Sequence, residues 1–360
     1  MNPLHYGVVV GINRYPDLNP LKRAKGDAES FGAWLTDPHG GGLPPQNVEL
    51  VVVEDAQMPD GTLRENAVPT RNEVLSALHR FRKTVNDHID QHPDEWKNTR
   101  LYFYVSGHGI APGPRDAALL MANASPEWAG ENLSCSQLLS FFGESQTFHE
   151  LVIFADCCRE RLANAPLSGV PWPLDARDNG SVLTALGCAT HFGDIALEPD
   201  EEMEGETDPD KLRGYFTKAL LEGLWGQAVD GTNNGEVNSN SLARYVRQRV
   251  CDLTKHRRHQ QRPTMDSDPA EPIIFRQDFP GVSEVKHQVR LQFVTPFSGK
   301  ALLLNGIGDV IAEHQVPGDE WVIALTNSIY QITPENAGAE VHFRNDGFFK
   351  VWGEERDVQL

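Results

Sequence analysis

Short apolar runs alternate with amphipathic segments through about the first 275 residues of the chain. The apolar runs are continuous rather than alternating with polar residues, a pattern that is typical of strands buried on both faces of a sheet. We therefore predict strands at six places, which are residues 6–12, 47–53, 100–106, 150–156, 181–187 and 272–275.

The segments between these runs carry apolar residues at helical spacing. Residues 70–89, for example, begin with the capping residue Thr70 and place Val74 and Leu78 on one stripe. Helices are predicted at residues 24–35, 70–89, 134–143, 214–226 and 240–253. Because strands and helices alternate, we expect an α/β sandwich with a mostly parallel central sheet of about six strands.

The pattern changes after about residue 280, where short β-like runs are separated by turn residues. We expect residues 285–360 to form a small all-β domain, a sandwich or barrel, joined by a linker at 279–284 to a larger domain at 1–278. Two stretches of the larger domain are predicted surface loops. Residues 159–180 are rich in Pro, Asn and Gly, and residues 198–210 are acidic.

Composition and charge limit the classes of partner. The hydrophobic content of 39% and the charged content of 23% are those of an ordinary soluble protein. The 32 Lys and Arg residues against 51 Asp and Glu residues give a formal net charge of −19, which disfavours binding to nucleic acid or to an anionic membrane. The amino terminus lacks a secretory signal, and no segment approaches the roughly 20 apolar residues that span a bilayer.

The cysteine and histidine content argues against structural metals and disulfides. Five cysteines, an odd number with two adjacent, are a poor disulfide framework and favour a reducing cytoplasm. Without a CxxC or HExxH motif, we predict no zinc site. The acidic stretch 198–210 lacks the ligand spacing of an EF-hand, so Ca²⁺ activation has no sequence support and no cofactor is expected to be required.

Two predicted strands end abruptly on reactive residues. The sequence "SGHG" presents His108 between two glycines, and "ADCC" presents Cys157 and Cys158 after an aspartate. Carboxyl ends of parallel strands meet at one edge of a sheet, where the active sites of α/β folds gather. A thiol needs a neighbouring base to react, so His108 and one cysteine are a candidate catalytic pair. The alternative is two small apolar side chains packed at a buried strand end.

These motifs resemble those of the caspase-like clan of cysteine peptidases. The likeness is greatest to bacterial metacaspase-like, or orthocaspase-type, members of peptidase family C14, whose motifs are S-G-H-G and D-[SC]-C. The spacing 158 − 108 = 50 matches that between histidine and cysteine in caspases. The stretches "VGINRYPDLNPLKRAKGDAESF", "GYFTKALLEGLWG" and "QRPTM…PIIF" extend the resemblance to about residues 4–276. It implies a caspase-like three-layer sandwich.

The resemblance implies roles for individual residues. Cys158, rather than Cys157, matches the nucleophile, and side-chain alternation along a strand agrees that only one of the two can face His108. His108 would act as general base and then as general acid. The amides of Gly109 and Cys158 would form the oxyanion hole. The remaining cysteines are assigned to packing, and they are Cys135, Cys188 and Cys251.

The resemblance also implies a pocket for a basic substrate residue. Asp27, Ser106 and Asp156 match the S1 pocket of metacaspase-like members, which cut after Arg or Lys. Two carboxylates in one desolvated pocket repel each other unless a cation lies between them, and a guanidinium can bind both. The alternatives are a solvated carboxylate at a helix start for Asp27 and a backbone-capping carboxylate for Asp156.

Three residues depart from the family pattern. Arg159 and Glu160 stand where the family has His and Ser, and Ala24 stands where it often has Cys. Arg159 either begins the surface loop or, beside the thiolate, lowers the pKa of that thiol. These departures leave the nucleophile unchanged and the finer substrate preference open.

The expected function is a cytoplasmic cysteine endopeptidase that cleaves proteins after Arg or Lys. Similar bacterial proteins act in regulated cell death or defence against phage, and the resemblance implies such a role. The alternatives are a catalytically silent caspase-fold interaction module and another cysteine-dependent acyl-transfer enzyme. The carboxy-terminal β domain would dock a substrate or an activator. Candidate self-cleavage sites lie near basic loop residues, namely Arg161, Arg177, Lys211 and Arg213.

Overall fold

The computed structural model describes most of the chain, and its residues divide into two compact units. The described residues are 2–53, 57–162, 164–199, 212–229, 235–277, 287–292, 299–305, 310–316, 320–325, 328–334, 348–351 and 356–359. The first unit comprises Met1–Leu221 and Arg249–Ile273, and the second comprises Glu222–Gln248 and Ile274–Leu360. The expected linker at 279–284 lies outside the described residues, so the expected domain boundary stays a prediction.

The helices and strands up to residue 276 follow the predicted alternation closely. In chain order they are β1 His5–Gly11, α1 Ala24–Thr36, β2 Val48–Val52, α2 Arg71–Ile89, β3 Arg100–Gly107, β4 Gly109–Ala111, β5 Ala118–Leu120, β6 Asn132–Ser134, α3 Cys135–Ser145, β7 Glu150–Cys157, β8 Glu160–Arg161, β9 Leu183–Cys188, α4 Tyr215–Glu222, β10 Val237–Asn238, α5 Ser239–Thr254, β11 Thr264–Ser267 and β12 Ile274–Arg276.

The central sheet has six strands in the order β11-β9-β7-β3-β1-β2. The pairs β1–β2, β1–β3, β3–β7 and β7–β9 are parallel, and β11 alone runs antiparallel, beside β9. The predicted α/β class with a mostly parallel sheet of about six strands is therefore confirmed. One assignment is wrong, because the sixth strand is β11 and the apolar run at 272–275 instead forms β12, which pairs with β10.

Helices cover both faces of this sheet because successive strand residues point to opposite sides. On one face, Phe31 of α1 is fully buried and stacks on Tyr104 of β3, with ring centroids 4.6 Å apart. On the other face, α2 contributes Leu78 and Phe81 to a core that includes Phe103. The arrangement is the three-layer sandwich that the sequence predicts.

Helix α2 begins where its capping residues dictate. The amide of Asn72 donates to the Thr70 hydroxyl oxygen at 3.3 Å, and the amide of Thr70 donates to the Glu73 carboxylate at 3.0 Å. This reciprocal capping box satisfies amides that have no partner within the helix. The predicted start of the helix at its Thr cap is confirmed.

A second sheet of four short strands, ordered β6-β5-β4-β8, continues directly from the central strand ends. Strand β4 begins two residues after β3 ends, strand β8 begins three residues after β7 ends, and the two pair in parallel. The expected loop at 159–180 therefore begins with a strand. This sheet fixes the backbone on both sides of the two predicted reactive motifs.

The carboxy-terminal part of the second unit is all-β in its described residues. Its strands are β13 His287–Gln292, β14 Gly299–Asn305, β15 Val310–Val316, β16 Glu320–Leu325, β17 Ser328–Pro334, β18 Phe348–Val351 and β19 Arg356–Gln359. They form sheets of three strands (β16-β13-β19) and four strands (β15-β14-β17-β18). Val289, Leu303, Trp321 and Ile332 belong to a core between them, which confirms the predicted small β-fold.

Within the part of the chain that the structure describes, no helix combines the length and the apolar character that crossing a bilayer requires.

We expect Phe31→Ala to destabilise the first unit by about 3–5 kcal/mol, because it removes a fully buried aromatic ring from the α1–sheet interface. Urea denaturation followed by far-ultraviolet circular dichroism measures the change. The matched control is Glu29→Ala on the exposed side of α1, which removes only an i,i+4 contact to Lys25 and should cost about 0.5 kcal/mol or less. Equal shifts for the two variants would contradict the packing described here.

Candidate active site

The register between β3 and β7 brings the two sequence motifs side by side. Ser106 lies opposite Asp156, and Gly107 lies opposite Cys157. His108 directly follows β3 and Cys158 directly follows β7, so both lie at the carboxyl edge of the sheet. Continuous apolar sequence holds the two strands in the middle of the sheet, and the polar residues follow where each strand ends.

The adjacent cysteines face opposite sides. Cys157 is 1% exposed and lies in the hydrophobic core with Cys135 and Cys188. Burial raises the pKa of the Cys157 thiol well above its usual value. Cys158 instead is half-buried and lines a cavity of about 250 Å³ at the strand ends. The side-chain alternation expected from the sequence is present, with Cys158 on the cavity side.

The cavity gathers five of the six residues that the sequence singles out. It is lined by Asp27, Ser106, His108, Asp156 and Cys158. The segment 195–198 forms the facing wall. The roles of these residues stay predictions, whereas their convergence on one space is a property of the fold.

The sixth residue, Gly109, lies directly against the cysteine pair. A Cβ at this position would lie 2.5 Å from both the Cys157 sulfur and the Cys158 carbonyl oxygen. Only glycine permits this approach of β4 to the end of β7. The expected oxyanion donors, the amides of Gly109 and Cys158, thus belong to backbone segments in close contact.

The imidazole of His108 is oriented by backbone and by an aromatic ring. Its Nε2 lies 2.7 Å from the carbonyl oxygen of Asn19. Since a carbonyl oxygen only accepts, Nε2 is the donor in this contact, which leaves Nδ1 as the ring nitrogen that can accept a hydrogen bond. The Tyr15 ring packs on the imidazole with centroids 4.8 Å apart, and the Tyr15 hydroxyl accepts the His108 amide at 3.0 Å.

The Cys158 thiol is protonated in this arrangement. Its pKa is raised to about 11, mainly by burial and also by the charges of Glu160, Asp156 and Glu198, whereas a hydrogen bond from the Ala196 amide lowers it. That amide donates to the Cys158 sulfur at 3.2 Å. Any reaction that uses the thiolate of Cys158 would therefore require a base to remove this proton.

One expected alternative was that Arg159 lies beside Cys158 and lowers the pKa of its thiol. Arg159 is not among the groups that shift this pKa. Its side chain is buried and donates to the carbonyl oxygens of Pro114 at 2.6 Å and of Asp116 at 2.9 Å. Burial raises the pKa of the Cys188 thiol, and the positive charge of Arg159 lowers it. Arg159 thus anchors the loops around β7 through these carbonyl oxygens.

Two buried carboxylates form the base of the cavity. Asp27 is 2% exposed and accepts the Gly214 amide at 3.0 Å. Asp156 accepts the Thr217 amide at 3.1 Å and the Thr217 hydroxyl at 2.6 Å. A Cβ at Gly214 would lie 2.7 Å from one carboxylate and 2.9 Å from the other, so the two groups flank one point. Asp27 is therefore not the solvated helix-start carboxylate of the alternative interpretation.

The electrostatics of the pair favour the approach of a further positive charge. Burial raises the pKa of Asp27 well above its ordinary value, and the neighbouring Asp156 raises it further, whereas the Gly214 amide and the Arg213 charge lower it. Burial also raises the pKa of Asp156 to about 6, against the lowering effect of the Thr217 hydrogen bonds. None of the described lining residues is a lysine or an arginine. Asp156 does cap a backbone amide, and it also lines the cavity.

A third carboxylate of the site, Glu198, is not identified by any sequence motif. It lines the cavity and accepts the backbone amides of Lys22 at 3.1 Å and Arg23 at 2.9 Å, at the start of α1. Its charge raises the pKa values of Asp27 and Asp156. It stands at the beginning of the acidic stretch 198–210, where no local pattern separates it from its neighbours.

The remaining expectations concern metals and self-cleavage. Within the described residues, no group of three or more His, Cys, Asp or Glu side chains is arranged to hold a metal ion. Arg161 is exposed, whereas Arg177 pairs with Asp90 at 2.7 Å and Arg213 donates to Ser30 at 2.6 Å. Lys211 and most of the acidic stretch lie outside the described residues, so self-cleavage stays a prediction.

Comparison with known proteins found similarity to a curated protein and to solved structures. No family model matches the chain. A protein from a Desulfuromonadales bacterium, named a probable protease, is 28% identical over 235 residues, which are 62% of this chain and 26% of that protein. The chain thus aligns with about a quarter of that relative's length.

Solved structures with a similar outline include caspases. Caspase-1 from Spodoptera frugiperda is 12% identical, with a TM-score of 0.46 over 77% of this chain and 92% of that one. A protein from Geobacter sulfurreducens is 16% identical, with a TM-score of 0.44 over 77% of this chain and 98% of that one.

We expect Asp156→Asn to gain stability relative to the native protein as the pH rises from about 4 to 7. The folded-state pKa of about 6 exceeds the ordinary 3.8, so the native fold binds the extra proton in this window and loses stability as the proton leaves. The difference should amount to about 2–3 kcal/mol. Urea denaturation at each pH measures it, with Asp17→Asn at an exposed position as control. A difference that stays constant with pH would contradict the buried carboxylate pair.

Proposed function

We propose that the protein is a caspase-like cysteine endopeptidase that hydrolyses peptide bonds after Arg or Lys. The observation that carries the proposal is the register of β3 and β7, which brings His108 and Cys158 to one cavity together with Asp27 and Asp156. The similarity to a protein named a probable protease supports the same class of reaction. The basic preference follows from the carboxylates alone.

Acylation uses His108 as the base. Nδ1 takes the proton of the Cys158 thiol as the sulfur attacks the carbonyl carbon, which forms the C–S bond and places negative charge on the carbonyl oxygen. The imidazolium is stabilised by the Nε2 hydrogen bond to the Asn19 carbonyl oxygen at 2.7 Å. The tetrahedral intermediate then collapses, the C–N bond breaks, and His108 returns the proton to the leaving amine.

Deacylation repeats these steps with water as the nucleophile. His108 takes a proton from water as its oxygen attacks the thioester carbon, and collapse breaks the C–S bond. The products are a carboxylic acid and the restored thiol, which regains its proton from the imidazolium. In both acylation and deacylation, the amides of Gly109 and Cys158 would donate to the oxyanion. Backbone donors that are fixed before the reaction are effective in this role.

The carboxylate pair selects the residue before the scissile bond. A cation between Asp27 and Asp156 replaces their mutual repulsion with two attractive contacts and favours the ionised form of both. A guanidinium offers planar paired donors to a carboxylate, whereas an ammonium acts as a point charge. We therefore propose that Arg is preferred to Lys, and an acidic residue at this position would add a further like charge to the pocket.

Location and biological role are extensions of the proposal. All five cysteines are free, three of them buried, which suits a reducing compartment such as the cytoplasm. Regulated cell death or phage defence remains the proposed setting, with a substrate or activator docking on the carboxy-terminal β sheets. A silent interaction module would bury two neighbouring carboxyl groups without a function that compensates for their cost.

The proposal predicts cleavage of a peptidyl-arginine fluorogenic amide, slower cleavage of the lysine analogue and no cleavage of the aspartate analogue. We expect Cys158→Ala to lower kcat/KM on the arginine substrate at least about 10³-fold, because the nucleophile is lost. Cys157→Ala, the matched control one residue away in the core, should retain activity within about tenfold.

Three outcomes would count against the proposal. Cleavage of the aspartate substrate alone would contradict the pocket assignment, and full activity of Cys158→Ala would move the nucleophile elsewhere. No cleavage of any substrate, with or without Ca²⁺, would favour the interaction module.

A further inference from the structure

A network of three hydroxyl groups lies behind the carboxylate of Asp156. The Thr217 hydroxyl oxygen lies 2.6 Å from Oδ2 of Asp156 and 2.5 Å from the Tyr104 hydroxyl oxygen, and all three residues are buried. Ser106 lies two residues after Tyr104 on the same face of β3, and it hydrogen-bonds the Tyr104 hydroxyl in turn. The hydroxyl network therefore links Ser106, at the cavity wall, to Asp156.

When Asp156 is ionised, proton counting fixes the direction of these hydrogen bonds. A carboxylate only accepts, so the single hydroxyl proton of Thr217 goes to Asp156. The Thr217 oxygen then accepts the proton of Tyr104, and the Tyr104 oxygen accepts the proton of Ser106. Three hydroxyl protons thus point along the network toward one carboxylate, and hydrogen bonds in such a series strengthen one another. The Ser106 oxygen is left as an acceptor at the cavity.

The two buried carboxyl groups of the cavity are held differently. Asp156 accepts the Thr217 amide at 3.1 Å in addition to the hydroxyl. Asp27 accepts the Gly214 amide, at 3.0 Å on one oxygen and 3.2 Å on the other. Burial raises the pKa of both groups, well above the ordinary value for Asp27 and to about 6 for Asp156, where the Thr217 donors oppose the effect of burial. Asp156 is therefore the first of the pair to lose its proton.

The titratable and charged groups around this pair come from several elements. They are Tyr104 on β3, Glu198 in the segment 195–198, Arg213 just before α4, and His108 and Cys158 at the strand ends. The charge of Glu198 raises the pKa of Asp156, whereas the hydrogen bonds from the hydroxyl and the amide of Thr217 lower it. The balance between the two forms of Asp156 therefore depends on Thr217.

We propose that Thr217, supported by Tyr104, is a positioning residue that keeps Asp156 ionised and makes it the first contact of a cationic side chain in the cavity. The inference rests on the proposed function, in which that cation belongs to the residue before the scissile bond. Thr217 does not line the cavity, so it acts through Asp156. Its loss should change substrate binding rather than the chemical step.

The test compares KM and kcat for a peptidyl-arginine fluorogenic amide at pH 6, near the pKa of Asp156, and at about pH 8. Without the hydroxyl, Asp156 keeps its proton to higher pH. We therefore expect Thr217→Val to raise KM about tenfold at the lower pH, the size of one lost hydrogen bond to a charged group, and less at the higher pH. The value of kcat should stay within about twofold. Thr217→Ser, which keeps the hydroxyl, should restore the native KM.

Two further variants separate this effect from a general effect on folding. Thr99 is also fully buried, but its hydroxyl donates to the Trp96 carbonyl oxygen at 2.7 Å at the amino-terminal end of β3, so Thr99→Val should leave KM native at both pH values. Tyr104→Phe removes the next hydroxyl of the network and keeps the ring that stacks on Phe31. It should raise KM at the lower pH by a smaller factor, about threefold.

Specific results would overturn the inference. They are an unchanged KM in Thr217→Val at the lower pH, an equal rise in KM at both pH values, or a loss of kcat alone. Where Thr217→Val does not fold, Tyr104→Phe decides by the same readout.

The inference and the proposed function can fail separately. If the native protein does not cleave the arginine amide, the proposed function fails, and urea denaturation from about pH 5 to 8 decides the inference. A proton that Asp156 keeps to higher pH makes the folded state lose stability over a longer pH range. Thr217→Val should therefore fall behind the native protein by about a further tenfold in the unfolding equilibrium constant as the pH rises, whereas the difference for Thr99→Val should stay constant. A difference for Thr217→Val that does not grow with pH would overturn the inference even where the amide is cleaved.

Discussion

The parallel pairing of β3 with β7 is the contact on which the site depends. With Ser106 opposite Asp156 and Gly107 opposite Cys157, His108 and Cys158 leave the sheet at neighbouring positions. A shift of one residue in this register would turn the second cysteine into the core and the first toward the cavity. The helices on both faces, and the short sheet that pairs β4 with β8, all hold this one alignment.

The site gathers three carboxyl groups around one cavity, and two of them are buried. Asp27, Asp156 and Glu198 line one cavity, and burial raises the pKa of each of the two aspartates. Asp156 and Glu198 also raise the pKa of the Cys158 thiol. A cationic substrate side chain would offset the same charges that hold the proton on the thiol. Binding of a basic substrate residue would thus also lower the pKa of the Cys158 thiol. The carboxylates that make this possible reduce the stability of the fold, as functional sites commonly do.

Much of the fold follows from local sequence, and what does not has a physical reason. Continuous apolar runs predict five central strands, and Thr70 predicts the start of α2. Strand β11, Thr264–Ser267, lies at the sheet edge and has no apolar run, so the apolar pattern favours residues 272–275 instead. Alternation along β7 separates Cys157 from Cys158. The Asn19 carbonyl oxygen could not be predicted, because any residue supplies one.

Labelling with a peptidyl-arginine chloromethyl ketone tests the combined site most directly. Such a reagent needs the acidic pocket to bind its arginine, the histidine to activate the thiol and the thiol to react. Mass spectrometry of the intact protein and of its proteolytic peptides should show a single adduct on Cys158, formed much faster than with the aspartyl reagent and lost in His108→Ala. An adduct on Cys157, or equal labelling by the aspartyl reagent, would contradict the assignment of this site.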